Sequence, residues 1–208
     1  MSVLFRTALH RKLALVAALL ACAGVSRAAP ITFQFTGTVA FVSVDDIYGD
    51  IAFEDVFQVA YTFDSTAADL IPGDPATASY LSSGVPFSMT VLLAGHTFTA
   101  TDSVSIGVVN SFVDQYTVTG FGSGGNLTLE IFLHDDTATA FAGDSLPLTK
   151  PALSLFPFAT FRLHEVGTEG EVQVDGLFTS VAPVPEPSTG FALCLGIAGL
   201  WVLSRRRR

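Results

Sequence analysis

Apolar residues recur at every second position along most of this chain, and that spacing limits the fold more than any other feature. Phe33, Phe35, Val39 and Phe41 alternate with polar or small residues, as do Phe57, Val59, Tyr61 and Phe63, then Phe87, Met89, Val91 and Leu93, and Leu127, Leu129, Ile131 and Leu133. A period of two puts each set on one face of a β-strand, whereas an amphipathic helix needs a period near 3.6. Further strands are expected at His96 to Ala100, Val104 to Val109, Gln115 to Phe121, Ala159 to Leu163 and Glu171 to Ser180. Turn residues separate them at Gly73-Asp74-Pro75, Gly84, Gly95 and Gly122 to Asn126. Only Ser65 to Leu70 hints at a helix, of one or two turns. About nine or ten short strands without an amphipathic helix predict an all-β fold, a single antiparallel β-sandwich of which the jelly roll is one form. The chain has 18 Phe, and large rings suit the space between two sheets, so most are expected inside.

The alternation stops at both ends. Arg6, His10, Arg11 and Lys12 precede an apolar run from Leu13 to Val25, closed by Ser26-Arg27-Ala28. A cationic start, a short apolar helix and small side chains before the cut make residues 1–28 a secretory signal peptide, cleaved between Ala28 and Ala29. Two rivals are a cut after Ala21-Cys22-Ala23 and a lipoprotein-like reading of Leu19-Leu20-Ala21-Cys22, whose second Leu departs from that pattern. At the other end Val184-Pro185-Glu186-Pro187-Ser188-Thr189-Gly190 precedes an apolar run from Phe191 to Leu203, then Ser204 and Arg205, Arg206, Arg207 and Arg208. About 13 apolar residues span roughly 20 Å as a helix, short of a hydrocarbon core of about 30 Å. The flanks decide for a transmembrane helix over 191–204: prolines bound it on one side, and the arginines snorkel and stay cytoplasmic on the other. Both cysteines, Cys22 and Cys194, fall in these end segments, so the domain expected over 29–183 has no disulfide.

The charges divide in the same way. Eight of the ten bases lie in the two ends, while residues 29–183 hold 18 Asp and Glu against Lys150 and Arg162, a net charge of −16. With a pI near 4.6 the chain lacks the basic surface that displaces counterions from nucleic acid.

The tail resembles the PEP-CTERM sorting signal, also catalogued as the ice-binding protein C-terminal motif. Val184, Pro185, Glu186, Pro187, Ser188 and Thr189, the glycine-dotted apolar helix and the terminal arginines carry the resemblance in that order. It implies recognition by an exosortase, a membrane cysteine-type processing enzyme, in a Gram-negative bacterium that makes exopolysaccharide. The helix would be a temporary anchor, and the chain a substrate of that enzyme. The domain also looks like a recurrent cargo of such signals, through Ile31 to Val39, Tyr61-Thr62-Phe63-Asp64, Asp144-Ser145-Leu146-Pro147, Pro151 and Leu153. That resemblance implies fold and destination, and no activity.

Candidate chemistry is sparse. Gly120-x-Gly122-x-x-Gly125 matches a dinucleotide fingerprint as a string, but the strand pattern of Asn126 to Leu129 follows it where a helix must begin, so a hairpin is expected, and Ser123 is no nucleophile elbow. Asp45 and Asp46 with Asp50, His134-Asp135-Asp136, and Glu165, Glu169 and Glu171 around His164 are the polar clusters. Calcium, if bound, would take Asp45, Asp46, Asp135 and Asp136, although none has the spacing of a calcium loop. His96, His134 and His164 lie on separate strands with no zinc spacing. An acid pair such as Asp135 and Glu165 is the form a glycosidase site would take. No cofactor and no catalytic residue are expected.

The resulting expectation is an exported surface or matrix protein without catalytic activity. Its partners would be the secretion translocon, signal peptidase, the exosortase, the membrane through one transient span, and exopolysaccharide. The alternatives are a carbohydrate-binding module, marked by an exposed aromatic row on one sheet face, and a polysaccharide hydrolase, marked by two carboxyls in a cleft.

Overall fold

The computed structural model describes residues 30–43, 48–149, 151–167 and 170–183. The expected signal peptide with Ala28 and Ala29, Asp45 and Asp46, Lys150, Glu169, the motif from Val184 to Thr189, the expected transmembrane helix and Arg205 to Arg208 lie outside the described residues. Among the described residues no helix is long and apolar enough to cross a membrane.

The described chain is all-β. Its strands are β1 (Pro30–Val42), β2 (Val56–Asp64), β3 (Thr77–Ser83), β4 (Ser88–Leu93), β5 (His96–Ala100), β6 (Ser103–Asn110), β7 (Asp114–Phe121), β8 (Leu127–Asp135), β9 (Phe158–Val166) and β10 (Glu171–Pro183). All ten belong to one antiparallel sheet in the order β3-β6-β7-β8-β9-β10-β1-β2-β4-β5. Instead of two separate sheets, one continuous sheet curls until its halves face each other. The order is a meander from β6 to β10 and on through β1 to β2, without the interleaving of a jelly roll.

The curl is visible in the core. Tyr61 on β2 and Tyr116 on β7 are five strand positions apart, roughly 24 Å in a flat sheet, yet their hydroxyls lie 2.7 Å apart. Phe57 on β2 packs its ring 4.8 Å from that of Phe161, three strand positions away on β9. It reaches there because β1 and β10 present Gly37 and Gly176 beneath it: a Cβ on either would come within 2.4 Å of the Phe57 ring. Phe33, Phe35, Phe63, Leu129, Ile131 and Leu163 complete the interior.

Three local features depart from the sequence pattern. β3 was not expected, since Ala78, Tyr80 and Ser82 alternate inward with only one large apolar side chain among them. Ser65 to Leu70 forms no helix: the preceding Asp64 accepts hydrogen bonds from Thr66 N at 2.8 Å and Thr66 Oγ1 at 2.8 Å and closes a turn instead. Phe41, expected inside, is exposed, because the β1–β10 register shifts between Val39 and Phe41. Such a bulge re-aims every side chain beyond it.

Candidate functional site

The side chains with the most chemistry stand on the outer face of β8, β9 and β10. Antiparallel register aligns them in rows across the strands. Glu130 faces Arg162, which faces Asp175, which faces Phe41 on β1. In the next row Phe132 faces Thr160 and Thr160 faces Leu177, and in the row beyond His134 faces Phe158. The inward neighbours on β8, Leu129, Ile131 and Leu133, are fully buried, so the alternation that builds the core also aims this second set at solvent.

Thr160 is the short side chain in the middle, with Phe132 and Leu177 across the strands and Phe158 and Arg162 along its own. It forms the floor of a depression of about 330 Å³ walled by Glu130, Phe132, Arg162 and Asp175. A second hollow of about 270 Å³ borders the same threonine, lined by the outward Phe158 and Leu177 and by Leu153, Phe156 and Phe178 at the edge of the core. The Phe132 and His134 rings lie nearly parallel with centroids 5.8 Å apart, and Phe158 stands 6.2 Å from His134. Phe158 is 56% exposed and Phe41 50%.

The polar end of the groove is held in place. Arg162 Nε donates to Asp175 Oδ1 at 2.8 Å, and Gln173 Nε2 donates to Asp175 Oδ2 at 3.0 Å. The Arg162 guanidinium is pushed further up by that hydrogen bond and by the Asp175 charge, with Glu130 adding to it, so it stays charged. A guanidinium has five N–H donors, and Asp175 engages one through Nε. In solvent such a pair contributes at most about 1 kcal/mol to stability; its larger effect is to orient the side chain.

The sequence-predicted acids are dispersed. Asp135 and Glu165 sit at opposite ends of the β8–β9 ladder: Glu165 faces Leu127, and Asp135 lies eight residues further along β8, roughly 26 Å away. Glycoside hydrolysis needs two carboxyls about 5–10 Å apart, so this pair cannot act together. Asp135 is instead a buried loop anchor. It accepts from Thr137 N and Oγ1 at 2.8 and 2.6 Å and from Thr139 N and Oγ1 at 2.9 and 3.2 Å, which fills its four acceptor positions. These hydrogen bonds, that of the Thr137 hydroxyl foremost, hold its carboxyl well below the usual carboxylate range. Asp114, its register partner on β7, accepts from Phe141 N at 2.8 Å through one oxygen, while the other is buried without a hydrogen-bond partner.

Asp136 pairs with His134 at 2.7 Å, and Glu165 accepts from the Tyr48 hydroxyl. His96 pairs with Asp50 and His164 with Glu171. His164 faces Thr128, six residues along β8 from His134, so these two imidazoles stand roughly 20 Å apart and share no metal. Among the described residues no group of three or more His, Cys, Asp or Glu is arranged to hold a metal ion. Gly122 to Asn126 joins β7 to β8 as a hairpin turn, with Ser123–Gly125 in a single 3₁₀ turn, so the glycine string is no dinucleotide site.

Strand β10 ends at Pro183, and there the tail begins. Residues 183–208 match the family model of the PEP-CTERM protein-sorting motif. The chain carries a PEP-CTERM sorting signal. Such a motif implies exosortase-dependent sorting of an exported protein, with membrane-associated processing in Gram-negative bacteria. No curated protein and no solved structure matches the chain. The PEP-CTERM match covers the tail and leaves the β-domain uncovered, so the role of the domain rests on its own surface. Phe33 on β1 faces Pro183 on β10, which puts the first described strand beside the one that leads into the PEP-CTERM tail.

Proposed function

We propose that this protein is a non-catalytic component of the cell surface or exopolysaccharide matrix, exported through the translocon, cleaved by signal peptidase between Ala28 and Ala29, and held briefly by a span over 191–204 until an exosortase processes it. The observation that carries this reading is the sorting motif at residues 183–208. Val184, Pro185, Glu186, Pro187, Ser188 and Thr189 are its recognition segment, and Arg205 to Arg208 are the cytoplasmic stop. The pairing of β1 with β10 supports the same arrangement, since both processing points then flank one end of the domain. A net charge of −16 over residues 29–183 keeps the released domain soluble.

A second reading, a carbohydrate-binding module of the extracellular polymer, is favoured by the exposed Phe41 and Phe158 and the half-buried Phe132 on one sheet face. It is compatible with the first, since a matrix protein needs a means of attachment. Deleting Pro185 to Pro187 tests the sorting. The full-length form is expected to accumulate in the inner membrane fraction, while the unaltered protein reaches the exterior without its tail. Release of the deletion variant with normal processing would overturn the assignment.

A further inference from the structure

We propose that the groove along β9, between Phe132 on β8 and Leu177 on β10, is a binding site for a neutral saccharide chain. The inference deepens the second reading above by naming the site and the class of its ligand.

Four observations converge on it. First, the groove has an apolar half and a polar half in the proportion a saccharide needs. Phe132, Phe158 and Leu177 offer flat or apolar surface to the C–H faces of a sugar ring, while Glu130, Arg162 and Asp175 offer donors and acceptors to its hydroxyl rim. Binding sites for small polar molecules combine such surfaces with a few oriented polar groups. Second, two of the three polar groups are fixed before any ligand arrives, because Asp175 is held by both Arg162 and Gln173. Pre-ordering lowers the entropy lost on binding. Third, the two hollows meet at Thr160, and the outward side chains that border them on β9 run from Arg162 to Phe158, roughly 13 Å along the strand. That length suits a short run of linked sugar units better than a single compact metabolite. Fourth, the bulge in β1 turns Phe41 outward beside Asp175, extending the aromatic surface past the charged row. A bulge that exposes a large ring works against stability and is a known way of re-aiming a side chain at a site.

Charge selects the class of saccharide. One arginine stands between two carboxylates in the groove, on a domain of net charge −16, so a polyanionic chain is repelled and a neutral one is not. Nothing in the groove performs chemistry on the ligand: the role is retention.

Titration calorimetry of the full-length chain in detergent, with neutral gluco- and manno-oligosaccharides as probes and an oligoalginate as the anionic comparison, tests this directly. Export and exosortase processing are bypassed, so failure of the sorting assignment and failure of this site give different results. Binding of at least one neutral probe is expected, weakened about tenfold or more by F158A and by R162M, and abolished by T160W, which fills the floor. Phe158 is exposed and its removal leaves the core intact, so an unchanged circular dichroism spectrum and melting temperature for F158A separate lost binding from lost folding. The proposal is overturned if no neutral probe binds, if the alginate binds more tightly than all of them, or if F158A, R162M and T160W bind as the parent does.

Discussion

Removing one hydroxyl from the Tyr61–Tyr116 pair tests the closure of the sheet. Both side chains are fully buried, and their oxygens lie 2.7 Å apart across the core. Burial pushes both phenols up, so the pair stays neutral through the ordinary pH range and its contribution is independent of pH there. In Y61F the hydroxyl of Tyr116 keeps its place without that partner, at a cost of about 1–3 kcal/mol. Y116F strands Tyr61 in the same way. In the double variant both hydroxyls are gone while the rings stay packed, Tyr61 against Phe33 and Phe35 and Tyr116 against Phe141. Its stability is then expected within about 1 kcal/mol of the parent, because an apolar pair of the same shape leaves nothing unsatisfied. For a domain of about 150 residues each kcal/mol corresponds to roughly 2–4 °C in Tm. Urea unfolding followed by far-ultraviolet circular dichroism measures all four proteins. Single variants as stable as the parent, or a double variant as unstable as the two losses added, would refute a direct bond between β2 and β7 and with it the curl that brings them together.

Three further outcomes follow from the packing and the acids. G176A is expected to cost about 1–3 kcal/mol, because its Cβ would meet the Phe57 ring at 2.3 Å, and chemical denaturation should show the loss shrinking when Phe57 is also changed to Leu. D135N is expected to lower Tm at neutral pH by freeing the loop through Thr139. The Asp135 carboxyl is depressed in the folded state, so its contribution is present above the ordinary carboxylate pKa of about 3.9 and is lost as pH falls below it; the Tm gap between parent and D135N should therefore narrow in acid. A gap that widens in acid contradicts the assignment. D114N is expected to hold or raise Tm, since Asp114 Oδ1 makes no hydrogen bond that would be lost and the amide oxygen can still accept from Phe141 N; a fall like that of D135N contradicts this.

Much of the fold was legible because alternation was strong where the core is continuous. Phe57, Val59, Tyr61 and Phe63, or Leu129, Ile131 and Leu133, leave a strand as the only economical reading. β3 leaves little trace in the sequence because Ala78 and Ser82 face inward as small side chains, and the outward turn of Phe41 leaves none because a bulge is a relation between two strands with no periodic mark in one. The strand order was out of reach for the same reason: β3 leaves β2 and pairs with β6 at the far edge. The groove was hidden too, since Glu130, Arg162 and Asp175 are distant in sequence and meet through two register alignments. Asp135 stands out in the sequence only as an acid, yet the threonines that occupy it, Thr137 and Thr139, are what distinguish a loop anchor from a cation ligand. The tail was legible without any fold, because a sorting signal is read as a linear order of motif, apolar segment and basic end.

The most direct test of the account is the mass of the protein recovered from extracellular material, compared between cells with and without an active exosortase. The account predicts a species that begins at Ala29 and lacks the apolar segment with Arg205 to Arg208, found outside only when the exosortase is active. A full-length C-terminus outside the cell, or the same trimmed species when the exosortase is absent, would contradict it.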